Sequence, residues 1–530
     1  MNFDLIDEPW LPCITSAGQR KQVGLREALA EAHDLMTLRD TSPLVTAALH
    51  RVLLALLHRA FDGPRSEDDW RQFYGGGRFD AGVIDTYLGK WSRRFDLFDD
   101  AHPFYQVGGF EVLSGKSKRA SPTPATKMMH EIAGGNNPTL FDHTFDSEGR
   151  PLSPAQSARA LVTAQAFGLG GLAGGGRPNF KHAPLVRGVM TLLRGHTLFE
   201  TLMLNLLIYD DDEPIEGQRL QEDSPAWERD APTRLRERKC TGYLDLLTWQ
   251  SRRVRLLPED RGVRWMFYAP GEGFPSRGAS VARPPDPMWF YRLDDDEMAV
   301  VRLSQDRALW RNSDSLFAFS AQNRHRDQRP LAFQQAAYLK GDGSLTQSDL
   351  WRCALLGLAT NPERAADVKR WAHEDLPVPS ELLEDENLVN LLRAGLQKSE
   401  STGSCLRGAL DCLAQNLLKP AKPPNPWPKL SKQQRQDAAQ IRDSLQGLPR
   451  FWGSLELPFK RFLCDLPKNP EPAVAQWLDQ AKWQARRAFG EAASSAMGNG
   501  ARELRARVAA EGYLKNQLAK ITVEPEGGDT

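Results

Sequence analysis

Six of the nine residues from Gly168 to Gly176, within FGLGGLAGGGRPNF, are glycine. Residues without a Cβ let backbone approach a ligand closely and turn N–H groups outward, which suits contact with an anion or a nucleic-acid groove. Three readings fit such a run. A Walker-type phosphate loop ends in Gly-Lys-Ser/Thr, whereas Gly176 is followed by Arg177-Pro178. A dinucleotide fingerprint follows a strand and opens a helix, whereas a helical period precedes this run and Arg-Pro-Asn follows it. The third reading is an exposed surface loop. The charge around the run favours a polyanion. No acidic residue lies between Glu148 and Glu200, while Arg150, Arg159, Arg177, Lys181, Arg187 and Arg194 do, with His182 and His196. A second basic run holds Lys116, Lys118, Arg119, Lys127 and His130.

Between the basic runs, GGNNPTLFDHTFD (residues 134–146) combines strong turn chemistry with an aromatic, Phe141, beside Asp142 and His143. An aromatic on a basic loop can stack on bases or wedge between them. Asp142 and His143 resemble half of a catalytic triad, yet no Gly-x-Ser-x-Gly elbow supplies a nucleophile. HExxH is absent and the ten histidines show no ligand spacing. The six cysteines contain no CxxC pair, so reduced, mostly buried thiols are expected rather than a disulfide framework or zinc cluster. Neither a metal nor a cofactor is implied, and the chain is not read as an enzyme.

Several elements must position these loops. Ser42-Pro43 opens an apolar helix to about Phe61, and Ser153-Pro154 opens another that ends at Gly168, a C′ glycine. RWMFYA, MWFYRL and MAVVRLS between Arg264 and Ser304 read as strands. After about Gly343 the texture turns to long helical periods. These include Leu382, Leu383, Leu388, Leu391 and Leu392, then Val474, Trp477, Leu478, Ala481, Ala485, Ala488 and Phe489, then Leu504, Val508, Leu514 and Leu518. Ser431 caps a polar helix ending near Gly447, after the connector KPAKPPNPWPK. The expected class is α+β: a large mixed N-terminal domain over 1–370, then a C-terminal helical bundle over 371–530.

A chain of 530 residues needs more than one core. Its 68 basic and 68 acidic residues cancel, which argues against coating DNA by overall charge but leaves room for a local patch. The opening MNFDLIDEPWLP has neither a basic start nor an apolar run, so no signal peptide is expected. The apolar stretches VLLALLHRAF and LMLNLLI fall short of the roughly 20 residues that span a bilayer. A cytoplasmic location with no membrane partner follows.

Several motifs, in order, resemble a known family. They are LIDEPWLP (5–12), HPFYQ (102–106), GNNPTLFDH (135–143), the glycine run, LRGHTLFETLMLNLL (193–207), TGYLDLLTWQSRRVRL (241–256) and DPMWFYR (286–292). Together they resemble the large subunit of the type I-E CRISPR surveillance complex, the CasA family of Cascade. The resemblance implies a non-catalytic subunit whose partners are other Cascade subunits, the guide RNA, double-stranded target DNA and a helicase–nuclease that it recruits. It implies recognition of the protospacer-adjacent motif (PAM) from the minor groove, help in opening the duplex, a mixed N-terminal domain that carries the DNA-recognition loops and a C-terminal four-helix bundle. By the same resemblance, Phe141, Asp142 and His143 match a loop touching guide RNA and the PAM region. Gly168, Gly170, Gly171, Gly174, Gly175 and Gly176 match a glycine loop placed in the minor groove, with Arg177 and Lys181 adjoining. Two places depart from the family pattern. Where some members present a minor-groove lysine, this chain reads LDDDE (293–297), leaving Arg292 the nearest cation. Where some use a glutamine wedge, it reads ATNPERAAD (359–367), with Asn361 or Glu363 as substitutes. A nucleotide-binding or hydrolytic enzyme using the 168–176 loop, and a purely structural scaffold, remain the alternatives.

Overall fold

The computed structural model describes residues 1–113, 120–132, 150–172, 179–209, 223–275, 286–294, 297–319, 329–345, 350–361, 368–422, 425–496 and 500–522. Contacts divide the chain into two units, Met1–Leu376 and Pro377–Thr530.

The first unit opens with an antiparallel sheet in which β1 (Leu11–Thr15) lies between β2 (Arg20–Val23) and β3 (Leu35–Leu38), with α1 (Leu25–Ala30) joining the outer two. Helix α2 (Pro43–Phe61) carries proline in its first turn, where the missing N–H has no intrahelical partner to lose. Ser42 makes no side-chain cap bond to it. Every residue from Pro43 to His58 is buried. The helix is long and apolar enough by composition to cross a membrane, yet 83% of that stretch lies inside the protein, the position of a core helix. Shorter helices α3 (Glu67–Gly75) and α4 (Ala81–Lys90) follow.

A short strand β4 (Thr123–Pro124) precedes α5 (Pro154–Phe167). There Ser153 Oγ accepts from the Gln156 amide and Gln156 Oε1 from the Ser153 amide, satisfying two donors at the helix start. Then come β5 (Met190–Arg194), α6 (Leu198–Asn205), β6 (Arg236–Glu237), α7 (Tyr243–Leu247), β7 (Arg252–Glu259), β8 (Gly262–Pro270) and β9 (Glu272–Gly273). A hairpin of β10 (Tyr291–Asp294) and β11 (Glu297–Val300), helices α8 (Asp314–Phe317) and α9 (Leu331–Gly341), and strands β12 (Leu350–Thr360) and β13 (Val368–Pro379) complete the series. Two further three-stranded sheets are ordered β4-β8-β7 and β13-β12-β5. The two long strands β12 and β13 correct the expectation that helical texture starts after Gly343. Leu-Leu-Gly-Leu-Ala is as apolar as a core helix, and only sheet pairing on β5 makes it a strand.

The second unit is helical throughout its secondary structure after the turn Ser380–Leu383. Five helices are described: α10 (Glu386–Leu418), α11 (Lys432–Ser444), α12 (Gly447–Asp465), α13 (Pro470–Ser495) and α14 (Ala501–Ala519), four of them at least 19 residues long. The 33-residue α10 packs against all the others. Ser431 caps α11 through a reciprocal bond with Gln434. The stripe from Val474 to Phe489 is buried as its period requires, and the Trp477 indole donates to the Gly395 carbonyl (2.9 Å). On α14 only Leu514 and Leu518 of the expected stripe are buried. Leu504 and Val508 are exposed, because Ala506 and Ala510 take the inward positions.

Candidate nucleic-acid interface

The glycine run leaves α5 and returns as a narrow-based hairpin. Gly171 and Phe180 exchange backbone bonds (3.1 and 2.8 Å), and the Ala183 amide donates to Gly168 O (2.9 Å). The Gly170 amide donates to His182 Nδ1 (3.0 Å), which requires that nitrogen to be unprotonated. Beyond this base, Leu172 is 87% exposed, so the hairpin carries an apolar side chain into solvent. A helix before and a bridged hairpin after match neither a Walker nor a dinucleotide loop, both of which need a strand–loop–helix order.

The six glycines do not share one role. Gly168 and Gly170 are buried at the base. A Cβ on Gly168 would lie 2.6 Å from both Ala164 O and the Arg252 guanidinium, so glycine is required there by packing. Its φ of −56° and ψ of 128° also correct the expected C′ role, since no left-handed cap forms. Gly171 is exposed at the exit. Gly174, Gly175, Gly176 and Arg177, and likewise Phe141, Asp142 and His143, lie outside the described residues.

Three sequence-distant segments adjoin β5 at its Met190 end, and a fourth reaches the end of α5. The hairpin feeds the turn Pro184–Arg187, which leads directly into β5. Strand β12 runs antiparallel to β5, with Arg352 opposite Arg194 and Leu356 opposite Met190. Its far end, carrying Asn361, therefore extends past Met190 toward the Pro184–Arg187 turn, against which β12 also packs. On the other side, the Val189 amide donates to Val301 O (3.1 Å) and the Thr191 amide to Met288 O (2.8 Å), fixing the root of the β10–β11 hairpin. Trp289 packs onto Gly188, where a Cβ would lie 2.4 Å from its ring. That hairpin carries the exposed Arg292 opposite Ala299 and pairs Asp294 with Glu297. Finally, His130 bonds through Nε2 to Phe167 O (3.1 Å), so the segment leading to residues 133–149 starts beside Gly168. Burial holds the His130 imidazole below its ordinary pKa.

The acid-free interval is less positive in three dimensions than in sequence. Arg159 pairs with Asp40 (3.2 Å) and donates to Trp10 O (2.7 Å). Arg194 pairs with Asp375 (3.1 Å) and Lys181 with Glu237 (3.0 Å). Arg159 and Arg194 thus serve the fold, while Arg150 and Arg187 remain exposed. Lys127 lies 5.9 Å from the centre of the Tyr268 ring, next to Phe180 (5.4 Å between rings). Sequence reasoning assigned no part in holding the base to Arg252, Phe180, Tyr268 or His130, although each lies in a stretch it singled out. Their spacing carries no motif, and Arg252 reads as one of several cations in SRRVRL. All six cysteines are free and four are buried, with burial pushing the Cys13 thiol up to about 12 and Cys412 to about 11.

Fold and site together define an α+β protein in which segments from distant parts of the chain are rooted on one small sheet. The family model for CRISPR-associated protein Cse1 matches residues 4–488. The chain is 33% identical over 544 residues to the CRISPR-associated protein CasA/Cse1 of Thermus thermophilus, covering 98% of each. A crystal structure of CasA from the same organism matches with a TM-score of 0.79 and 30% identity, over 98% of this chain and 99% of that one. A chain of a CRISPR RNA-guided surveillance complex shares the fold at 20% identity, with a TM-score of 0.71, over 97% and 99% of the two chains. This chain belongs to the Cse1 family, also called CasA.

Proposed function

We propose that the chain is a non-catalytic subunit of a CRISPR RNA-guided surveillance complex in the cytoplasm. In this reading it works with the other Cascade subunits and guide RNA, recognises the PAM of double-stranded DNA from the minor groove, aids duplex opening and recruits a helicase–nuclease. The observation that supports it is that the turn after the glycine hairpin leads into β5, on which the root of the Arg292 hairpin and the strand ending at Asn361 are both paired. A minor groove about 6 Å wide admits bare backbone, which is what a glycine hairpin can insert. Shared fold with a surveillance-complex chain supports the assembly. Net neutrality agrees with a division of labour in which partner subunits and base pairing supply most target affinity.

Gly171, Gly174, Gly175, Gly176 and Arg177 are assigned to the groove, with Gly168, Gly170 and Lys181 supporting them. Phe141, Asp142 and His143 are assigned to guide RNA and the PAM region, and Arg292 and Asn361 to flanking contacts and strand separation. Where some family members carry a lysine, this chain reads LDDDE over 293–297, so this stretch contributes less attraction than a lysine would. The test is target binding by the assembled complex with Phe141→Ala, and with Gly174, Gly175 and Gly176 all changed to Val. Both are expected to weaken binding at least about tenfold. Unchanged binding with both variants refutes the proposal.

A further inference from the structure

Both legs of the glycine hairpin are gripped by one side chain. Arg252, the first residue of β7, is 1% exposed. Its Nη2 donates to Leu169 O (2.9 Å) on the outgoing leg, and its guanidinium lies 5.1 Å from the centre of the Phe180 ring on the returning leg. Nε donates to the Tyr268 hydroxyl (3.0 Å) and Nη1 to Ser251 O (2.8 Å). The guanidinium also fills the space that a side chain on Gly168 would need. Arg252 is itself fixed by Gln165, whose Oε1 accepts from the Arg252 amide (2.8 Å) and whose Nε2 donates to the Arg252 carbonyl (2.9 Å).

No carboxylate pairs with Arg252 among the described residues. A buried charge normally recovers its desolvation cost from an opposite charge, and an apolar side chain of similar length would fill this volume without that cost. What the apolar replacement lacks is a planar fork able to reach one leg, the β8 hydroxyl and its own strand at once.

We infer that Arg252 is the positioning residue of the glycine hairpin, setting the angle at which it leaves the protein and so the discrimination among adjacent motifs. The inference rests on the proposed minor-groove role of the hairpin. A narrow groove tolerates an angular error of only about 10–20° in an inserted element. Loosening the base therefore lowers motif discrimination more than it lowers general affinity for duplex.

The test uses the complex assembled with guide RNA and a duplex library randomised beside the guide-matched segment. The readout is the enrichment ratio of best to worst motifs, measured with affinity for a motif-poor duplex and the melting temperature of the isolated chain. Arg252→Lys keeps the charge and loses the fork, and Tyr268→Phe removes only the hydroxyl that accepts from Nε. Arg252→Lys is expected to lower the ratio about tenfold while changing motif-poor affinity less than about threefold, and Tyr268→Phe to lower the ratio by a smaller factor. The triple Val variant of Gly174, Gly175 and Gly176 separates the two layers of argument. If it collapses the ratio while both base variants leave it intact, or lower all duplex affinities equally, Arg252 has only a packing role. If the triple Val variant also leaves the ratio intact, the groove role falls and this inference falls with it.

Discussion

The ion pair between Arg51 and Asp286 offers the sharpest test of how the first unit holds its loop roots. Arg51 sits mid-way along α2 at 1% exposure, with its Nη1 2.7 Å from Asp286 Oδ2, an atom of a side chain at 0% exposure. Nη2 donates to Leu246 O at the end of α7 (2.8 Å), and Asp286 Oδ1 accepts from the Met288 amide (3.1 Å). The pair therefore ties α2 to the residues that start the Arg292 hairpin. Arg51→Met preserves most of the volume but leaves a carboxylate buried without its partner. Such broken pairs cost about 3–5 kcal/mol, which shifts the unfolding equilibrium by about two to three and a half orders of magnitude. Adding Asp286→Asn removes the stranded charge while keeping an acceptor for Met288, so the double variant is expected to recover at least about 1 kcal/mol relative to Arg51→Met. Urea denaturation followed by tryptophan fluorescence and far-UV circular dichroism measures this. Because the chain has two compact units, two transitions are to be fitted separately. A loss below about 1 kcal/mol for Arg51→Met, or a double variant that sums the single losses, refutes the reasoning.

Three further outcomes are expected. Burial lowers the His50 imidazole to about 4 and the His58 imidazole to about 3, so both stay neutral in the folded state while the unfolded chain takes up protons below about 6.5. Stability is thus full above that value and falls as pH drops from 6.5 toward 4, by about 2 kcal/mol per histidine at pH 5. Changing both to Gln should flatten the dependence, and an unaltered pH profile would speak against it. Gly168→Ala forces a methyl to 2.6 Å from Ala164 O and the Arg252 guanidinium, and overpacking of that kind costs about 1–3 kcal/mol. A melting temperature equal to that of the unaltered chain would contradict the packing role assigned to Gly168. A thiol-reactive probe on the native chain should label Cys405 and Cys464 before the buried cysteines, and rapid labelling of Cys353 would show that its surroundings open readily.

What the sequence determined by itself is what depends on neighbours a few residues away. The reciprocal caps at Ser153–Gln156 and Ser431–Gln434, the buried stripe from Val474 to Phe489, and the turn-rich glycine run all follow from short-range spacing. The ordered motifs that resemble the CasA family also needed no coordinates. Tertiary structure decided everything that depends on which distant residue arrives. Arg159 and Lys181 look like free cations until Asp40 and Glu237 are brought against them. Gly168 looks like ligand-facing backbone until Arg252 fills the space beside it. Leu504 and Val508 keep helical spacing yet face solvent, because the face of α14 that is buried runs through Ala506, Ala510, Leu514 and Leu518. The arrangement of β12, of Met288 and Val301 and of the turn Pro184–Arg187 around β5 rests on sheet register and backbone pairing. Pairing across a sheet has no sequence period of its own that links one strand to a particular distant partner, so only the folded chain could choose it.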